Sequence, residues 1–169
     1  MAEAGGYKKR AYLSLGSNVG DRAANLERAV AALGEAGVQV RRRSAVYETE
    51  PVDVPAQPWF LNCLVEVETE LMPLGLLRAL ARIERQLGRR RSSSPRGPRT
   101  IDIDILLFGN HIVRLPELTI PHPRLAERRF VLEPLRELAP ELRHPITRKT
   151  AAEMLTELSS AAQVRPYRG

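Results

Sequence analysis

Asp102 and Asp104 stand two residues apart in the stretch Gly97-Pro98-Arg99-Thr100-Ile101-Asp102-Ile103-Asp104-Ile105-Leu106-Leu107-Phe108, where a turn dipeptide runs into polar/apolar alternation. Such alternation predicts a β-strand. Successive strand side chains point to opposite faces, so Ile101, Ile103, Ile105 and Leu107 are expected on one side, and Thr100, Asp102, Asp104, Leu106 and Phe108 on the other. The two carboxylates then lie side by side, Cα atoms about 6.5 Å apart, where repulsion raises one pKa unless a cation neutralises the pair. An oxygen-only pair suits magnesium. Taken alone, Asp-x-Asp reads first as a wetted strand face with no chemistry. Here Arg89, Arg90, Arg91, Arg96 and Arg99 precede it, interleaved with Ser92, Ser93, Ser94, Pro95 and Pro98, which reads as a flexible basic loop against the acidic strand. Guanidiniums with a carboxylate-held cation are the parts that phosphoryl transfer uses.

Two further constellations could do chemistry. Residues 60–68 alternate again, with Leu61, Cys63, Val65 and Val67 on one side and Phe60, Asn62, Leu64, Glu66 and Glu68 on the other. An aromatic ring and an amide on one face can stack on a flat heterocycle and read its edge; a core aromatic beside a solvent-facing Asn is the plainer alternative. His122 lies in the proline-pinned run Leu118-Thr119-Ile120-Pro121-His122-Pro123, and Arg124, Arg128 and Arg129 follow before Phe130. With no second His or Cys at ligand spacing His122 is a poor zinc ligand, which leaves a phosphate contact or a packed turn histidine. Gly16-Ser17-Asn18-Val19-Gly20-Asp21 reads first as a turn before a helix and second as a wall for nucleotide or substrate, because it lacks the spacing and lysine of a P-loop.

These residues need elements to hold them. Strands are expected near 11–15, 38–48, 60–69, 99–108 and 111–115, and helices near 22–34, 73–88 and 150–158. Asp21 is the expected N-cap of the first helix, whose stripe is Leu26, Ala29, Val30 and Leu33. Pro73 opens the second and Gly88 ends it, while Thr150 with Glu153 forms a capping box for the last. Val131 to Leu138 is expected to form a further short helix. Gly109-Asn110 predicts a hairpin that returns 111–115 antiparallel to the acidic strand. Pro51, Pro55 and Pro58 keep 49–58 irregular, and Arg41 to Arg43 read as solvated surface. The order β-α-β-β-α-β is the ferredoxin-like α+β plan, a mostly antiparallel sheet with helices packed on it, here with an added β-hairpin.

The 169 residues fit one domain, 1–169, with 1–9 and 159–169 as flexible tails. The formal charge of +6 points to anionic partners, and all but Lys8, Lys9 and Lys149 of the 26 basic residues are arginines, suited to bidentate phosphate contacts. A lone Cys63 in an apolar alternation implies a core thiol and a reducing compartment. No apolar run is long enough for a signal h-region or a membrane span, so a cytoplasmic protein is expected.

Gly97-Pro98-Arg99-Thr100-Ile101-Asp102-Ile103-Asp104-Ile105, with Leu15-Gly16-Ser17-Asn18, Asn62 after an aromatic, and Pro121-His122-Pro123-Arg124, closely resembles the 6-hydroxymethyl-7,8-dihydropterin pyrophosphokinases over about residues 11–158. The resemblance implies transfer of pyrophosphate from ATP to the hydroxymethyl group of the reduced pterin, giving AMP, as a step of folate biosynthesis. By resemblance, Asp102 and Asp104 hold two magnesium ions that bridge the ATP phosphates. Arg89 and Arg99 act as catalytic residues of a closing loop, and Arg91, Ile105, His122 and Arg128 contact ATP. Phe60 and Phe130 sandwich the pterin, whose edge is read by Asn62 and by backbone groups around Thr49 and Val52. The implied partners are ATP and the pterin, with no nucleic acid and no membrane, acting on a monomer. Two departures from the family pattern stand out: Arg96 replaces an aromatic before Gly-Pro-Arg, and Ala81 replaces a polar nucleotide contact. The rival from another class is a basic single-stranded RNA-binding module, which shares the fold plan and pI.

Overall fold

The computed structural model describes residues 7–51, 57–88, 100–159 and 163–169. Strand β1 (Lys9–Ser17), α1 (Arg22–Glu35), β2 (Val38–Arg43), β3 (Tyr47–Thr49), β4 (Phe60–Thr69), α2 (Pro73–Gln86), β5 (Asp102–Phe108), β6 (Val113–Leu115), β7 (Leu118–Ile120), α3 (Arg129–Leu138), α4 (Ala151–Glu157) and β8 (Val164–Pro166) follow in chain order. The main sheet runs β5-β1-β4-β3-β8, with β2 also paired to β4, and every pairing is antiparallel. The fold is α+β.

Alternation along β1 and β4 builds two cores, one on each face of the sheet. Leu13, Leu15, Leu61, Cys63 and Val65 meet Leu26, Ala29 and Leu33 of α1 and Leu76, Leu80 and Ile83 of α2. On the other face Tyr12, Leu64 and Leu106 meet Val131, Leu132 and Leu135 of α3 and Met154 and Leu155 of α4. The helices start where their sequences set them: Asp21 accepts from the Ala24 N–H at 3.1 Å, Pro73 fills the first turn of α2, and Thr150 accepts from the Glu153 N–H. Cys63 is buried, and burial pushes its thiol pKa up to about 11.

The structure corrects the expected elements at several places. The single strand over 38–48 is two, because buried Ser44 donates its N–H to the Leu64 carbonyl and offers its hydroxyl to the Leu64 N–H, each at 2.9 Å. A side-chain oxygen there takes the place of a ladder carbonyl, and the strand breaks. The strict alternation along β5 also fails, since the register with β1 shifts between Tyr12 and Leu13 and leaves Leu106 as a bulge. Beyond the bulge the faces exchange, so Leu107 joins the α3 core and Phe108 the α1 core. Residues 111–115 do not return along β5; β6 pairs with β7 in a separate hairpin turned by Pro116 and Glu117. Leu118 and Ile120 are buried, and this apolar pair draws the partner strand to itself. Gly16, read as a turn, is a strand residue of β1. Arg41, Arg42 and Arg43 are tied to Glu68, Glu66 and Glu27 across β4 and α1. The tail expected from 159 includes β8, which extends the sheet at β3.

Candidate active site

Cross-strand register gathers the candidates on the sheet face that also carries α3. Asn62 of β4, Gly16 of β1 and Asp102 of β5 lie in one row, and Leu64, Ser14 and Asp104 in the next. Two inter-strand steps put the Asn62 and Asp102 backbones about 10 Å apart, with glycine between them. That glycine has a steric reason: a Cβ at Gly16 would lie 2.6 Å from Asn62 Oδ1 and 3.5 Å from Phe60 Cδ1. The Asn62 amide occupies the space a side chain would take. Its Nδ2 donates to Thr49 Oγ1 at 2.5 Å, which fixes the amide orientation and leaves Oδ1 facing the row as an acceptor.

Asp102 and Asp104 are both half-exposed, whereas Ile103 and Ile105 between and after them are buried against α1 and α2. Ile105 thus has its side chain in the core, and only its backbone lies toward the strand edge. Arg128, just before α3, brings its guanidinium 3.8 Å from Asp104 Oδ2 and 5.4 Å from the centre of the Phe130 ring. Phe130, in the first turn of α3, packs half-buried on the α3 core. His122 donates its backbone N–H to the Leu106 carbonyl, and its Nδ1 accepts from the Arg124 N–H at 3.1 Å. Burial, reinforced by Arg128 and Arg124, pushes its pKa down to about 4. The imidazole is therefore neutral at pH 7, and with Nδ1 accepting, Nε2 carries the proton and can donate. Val52, Arg89, Arg91 and Arg99 lie outside the described residues.

Among the described residues no three His, Cys, Asp or Glu side chains form a metal-binding group. Two carboxylates on one strand face fit a hard cation that takes one or two protein oxygens and completes its shell from phosphates and water. They do not fit a structural zinc site, which wants four N or S ligands.

Sequence reasoning missed Glu84 and the structural roles of Gly16 and Asn18. Gly16 was read as a turn former or substrate wall and as part of the family motif, but its steric role was hidden because a cross-strand neighbour cannot be seen from one segment. Glu84 of α2 is buried and accepts from the Ile103 N–H at 3.0 Å, the outward-facing donor between the two aspartates on an edge strand. Its place on the stripe of Leu80, Ile83 and Leu87, one residue after Ile83, was the available signal. Asn18 is buried and donates to Gln57 Oε1 and the Pro58 carbonyl at 2.9 and 3.2 Å, tying the loop before α1 to the start of β4.

Residues 12–140 match the family model described as 7,8-dihydro-6-hydroxymethylpterin-pyrophosphokinase (HPPK). The chain belongs to that family. It is 46% identical over 138 residues to a 2-amino-4-hydroxy-6-hydroxymethyldihydropteridine pyrophosphokinase of Bacillus subtilis, covering 81% of this chain and 82% of the relative. A Methylorubrum extorquens protein of the same name is 47% identical over 150 residues, covering 88% and 93%. A folic acid synthesis protein of Schizosaccharomyces pombe is 44% identical over 153 residues; the match covers 90% of this chain and 21% of that longer protein. Among solved structures, a Plasmodium falciparum HPPK-DHPS superposes with a TM-score of 0.73 at 18% identity, over 91% of this chain and 46% of that one, which bears on the fold alone. As an HPPK, the chain has its family signature over β1 to α3.

Proposed function

We infer that this HPPK transfers pyrophosphate from ATP to the hydroxymethyl group of 6-hydroxymethyl-7,8-dihydropterin, giving AMP and the pterin diphosphate for folate biosynthesis. The observation that carries the reading is the row Asn62–Gly16–Asp102, an amide and aromatic on one side of a bare glycine and a carboxylate pair on the other. In this reading the pterin stacks on Phe60 and Phe130, and Asn62 Oδ1, oriented by Thr49, accepts from a ring N–H. Groups around Val52 complete the edge contacts. ATP lies along β5, with Ile105 contributing backbone, and with Arg91, Arg128 and the neutral His122 Nε2–H on phosphate oxygens. Arg89 and Arg99 close over it.

The pterin hydroxyl oxygen bonds to the β-phosphorus as the bond from that phosphorus to the α–β bridging oxygen breaks; AMP departs with that oxygen, and the hydroxyl proton passes to solvent. No enzyme nucleophile is needed, so the chain's work is positioning, charge neutralisation and water exclusion. Asp102 and Asp104 would hold two magnesium ions with ATP. Bound there, magnesium neutralises phosphate charge and polarises the reacting phosphoryl group. Arg128, already beside Asp104 and over Phe130, lies between the two substrate sites and can follow charge from one to the other.

The strand order β5-β1-β4 with β2 outside β4 supports the ferredoxin-like plan. The RNA-binding alternative wants an open sheet face; here that face carries two aspartates and is covered by α3 and α4. No helix among the described residues is long and apolar enough to cross a membrane. The reading takes the chain as a cytoplasmic monomer.

The test is a coupled assay for AMP with ATP, the hydroxymethyl pterin and magnesium. AMP should form only with all three present, and Asp102→Ala or Asp104→Ala should abolish it with the circular dichroism spectrum unchanged. Wild-type chain that releases no AMP, or variants with near-normal rates, would overturn the assignment.

A further inference from the structure

The last described segment of the chain lies behind the acceptor side of the site. Strand β8 pairs with β3 in the register Tyr47–Pro166, Glu48–Arg165 and Thr49–Val164, so the strand that carries Thr49 is held between β4 and β8. Arg165 sends Nε and Nη2 to Glu48 Oε1 at 3.1 and 2.7 Å, and its guanidinium lies 4.5 Å from the centre of the Trp59 ring. Trp59 immediately precedes Phe60. A second guanidinium repeats the pattern: Arg22, the first residue of α1, is 3.0 Å from Glu48 Oε2 and donates to the Trp59 carbonyl at 2.9 Å. Arg22 also lies 5.9 Å from the centre of the Tyr167 ring, and Tyr167 donates its N–H to the Val46 carbonyl.

One carboxylate therefore joins two guanidiniums, and each guanidinium reaches residue 59, one through the ring and one through the backbone. The Arg165 hydrogen bonds hold the Glu48 carboxyl below the usual carboxylate range. Glu48 pairs in register with Leu61, a residue of the α1 core, whereas its neighbours Tyr47 and Thr49 pair with Asn62 and Phe60. The cluster thus sits on the reverse of the sheet from the Asn62 amide.

We propose that Arg165, through Glu48 and Trp59, is a positioning residue for the acceptor pocket, holding the Thr49 and Phe60 backbones from behind so that the Asn62 amide and the Phe60 ring keep their mutual placement. The inference rests on the acceptor-site reading above. It separates from that reading because the donor side is on β5, at the opposite edge of the sheet from β8. Arg165 therefore affects pterin affinity and leaves ATP affinity alone.

The experiment uses the full chain and its one tryptophan. Pterin and ATP affinities are measured by titration calorimetry for wild type, Arg165→Ala, Arg165→Lys and Glu48→Gln, with Trp59 emission and the unfolding midpoint recorded for each. Loss of a stacked, charge-assisted contact predicts a pterin Kd about fivefold higher in Arg165→Ala. Lysine keeps the charge without the planar fork and should restore part of the loss, to about twofold. Emission should shift in Arg165→Ala, and the ATP Kd should stay at the wild-type value. Unchanged pterin affinity in Arg165→Ala overturns the proposal, as does a parallel loss of both affinities with a lowered unfolding midpoint, which marks a purely structural role. Wild type that binds ATP but no pterin overturns the acceptor-site reading itself, and the positioning role with it.

Discussion

Gly16 and His122 show how single residues set the chemistry of this sheet face. At Gly16 the missing side chain is the functional feature, because the Asn62 amide fills its place. Gly16→Ala should therefore raise the pterin KM on the order of tenfold while the ATP KM holds, since a 2.6 Å contact must be relieved by turning the amide away from Thr49; steady-state kinetics with each substrate varied will tell. His122 presents the opposite case, a titratable group kept uncharged. Its folded pKa, about 4, lies below the unfolded value of 6.5, so between those values the unfolded chain binds a proton that the folded chain does not. Stability from this residue is thus full above pH 6.5 and declines as pH falls toward 4. Nitrogen chemical shifts of His122 should report the Nε2–H tautomer, unchanged from pH 7 to pH 5, and His122→Asn should flatten the stability profile over that window.

Strand β5 is an edge element that must keep two half-exposed aspartates in register, and α2 gives it one buried fastening. Replacing Glu84 by Ala would leave the Ile103 N–H without this acceptor, a loss of about 1–3 kcal/mol in unfolding free energy, and should reduce turnover through β5. Glu84→Gln retains an acceptor oxygen and should recover most of both, as urea unfolding and the AMP assay can show. Elements of this kind divide by what their sequence reveals. Helices α1, α2 and α4 were legible because Asp21, Pro73 and Thr150 mark their starts within a few residues of the stripes they serve. The acidic face of β5 was legible from alternation, but only as far as Asp104. The Leu106 bulge and the Ser44 break depend on partners 94 and 20 residues away, and no local pattern carries that information. The 94 separates Leu106 from Tyr12, and the 20 separates Ser44 from Leu64. Thr49, Phe60 and Asn62 were read from spacing and resemblance, whereas their joint dependence on Gly16 and the β8 cluster required the sheet order.

At the scale of the molecule, charge among the described residues is arranged in pairs more than in a single basic field. Glu27, Glu48, Glu66 and Glu68 all sit below the usual carboxylate range. For Glu66 burial pushes upward, and Arg42, Tyr12 and Arg10 overcome it. These carboxylates contribute stability above the unfolded value of 4.5 and lose it as pH falls through their lower folded values, so acid unfolding should steepen below 4.5, where the His122 window is nearly spent. The net charge of +6 should still draw in an anionic nucleotide. Raising salt from about 0.05 to 0.5 M should raise the ATP KM severalfold and leave that of the uncharged pterin nearly fixed, a contrast that steady-state kinetics can read directly. The bare position in β1 has one more consequence, for how the gene can drift. Every missense change at codon 16, whether it brings a methyl, a hydroxyl or a charge, first adds the same carbon in the same place. The codon therefore has no gradual path away from glycine: chemical similarity between amino acids, which softens most substitutions, offers it nothing.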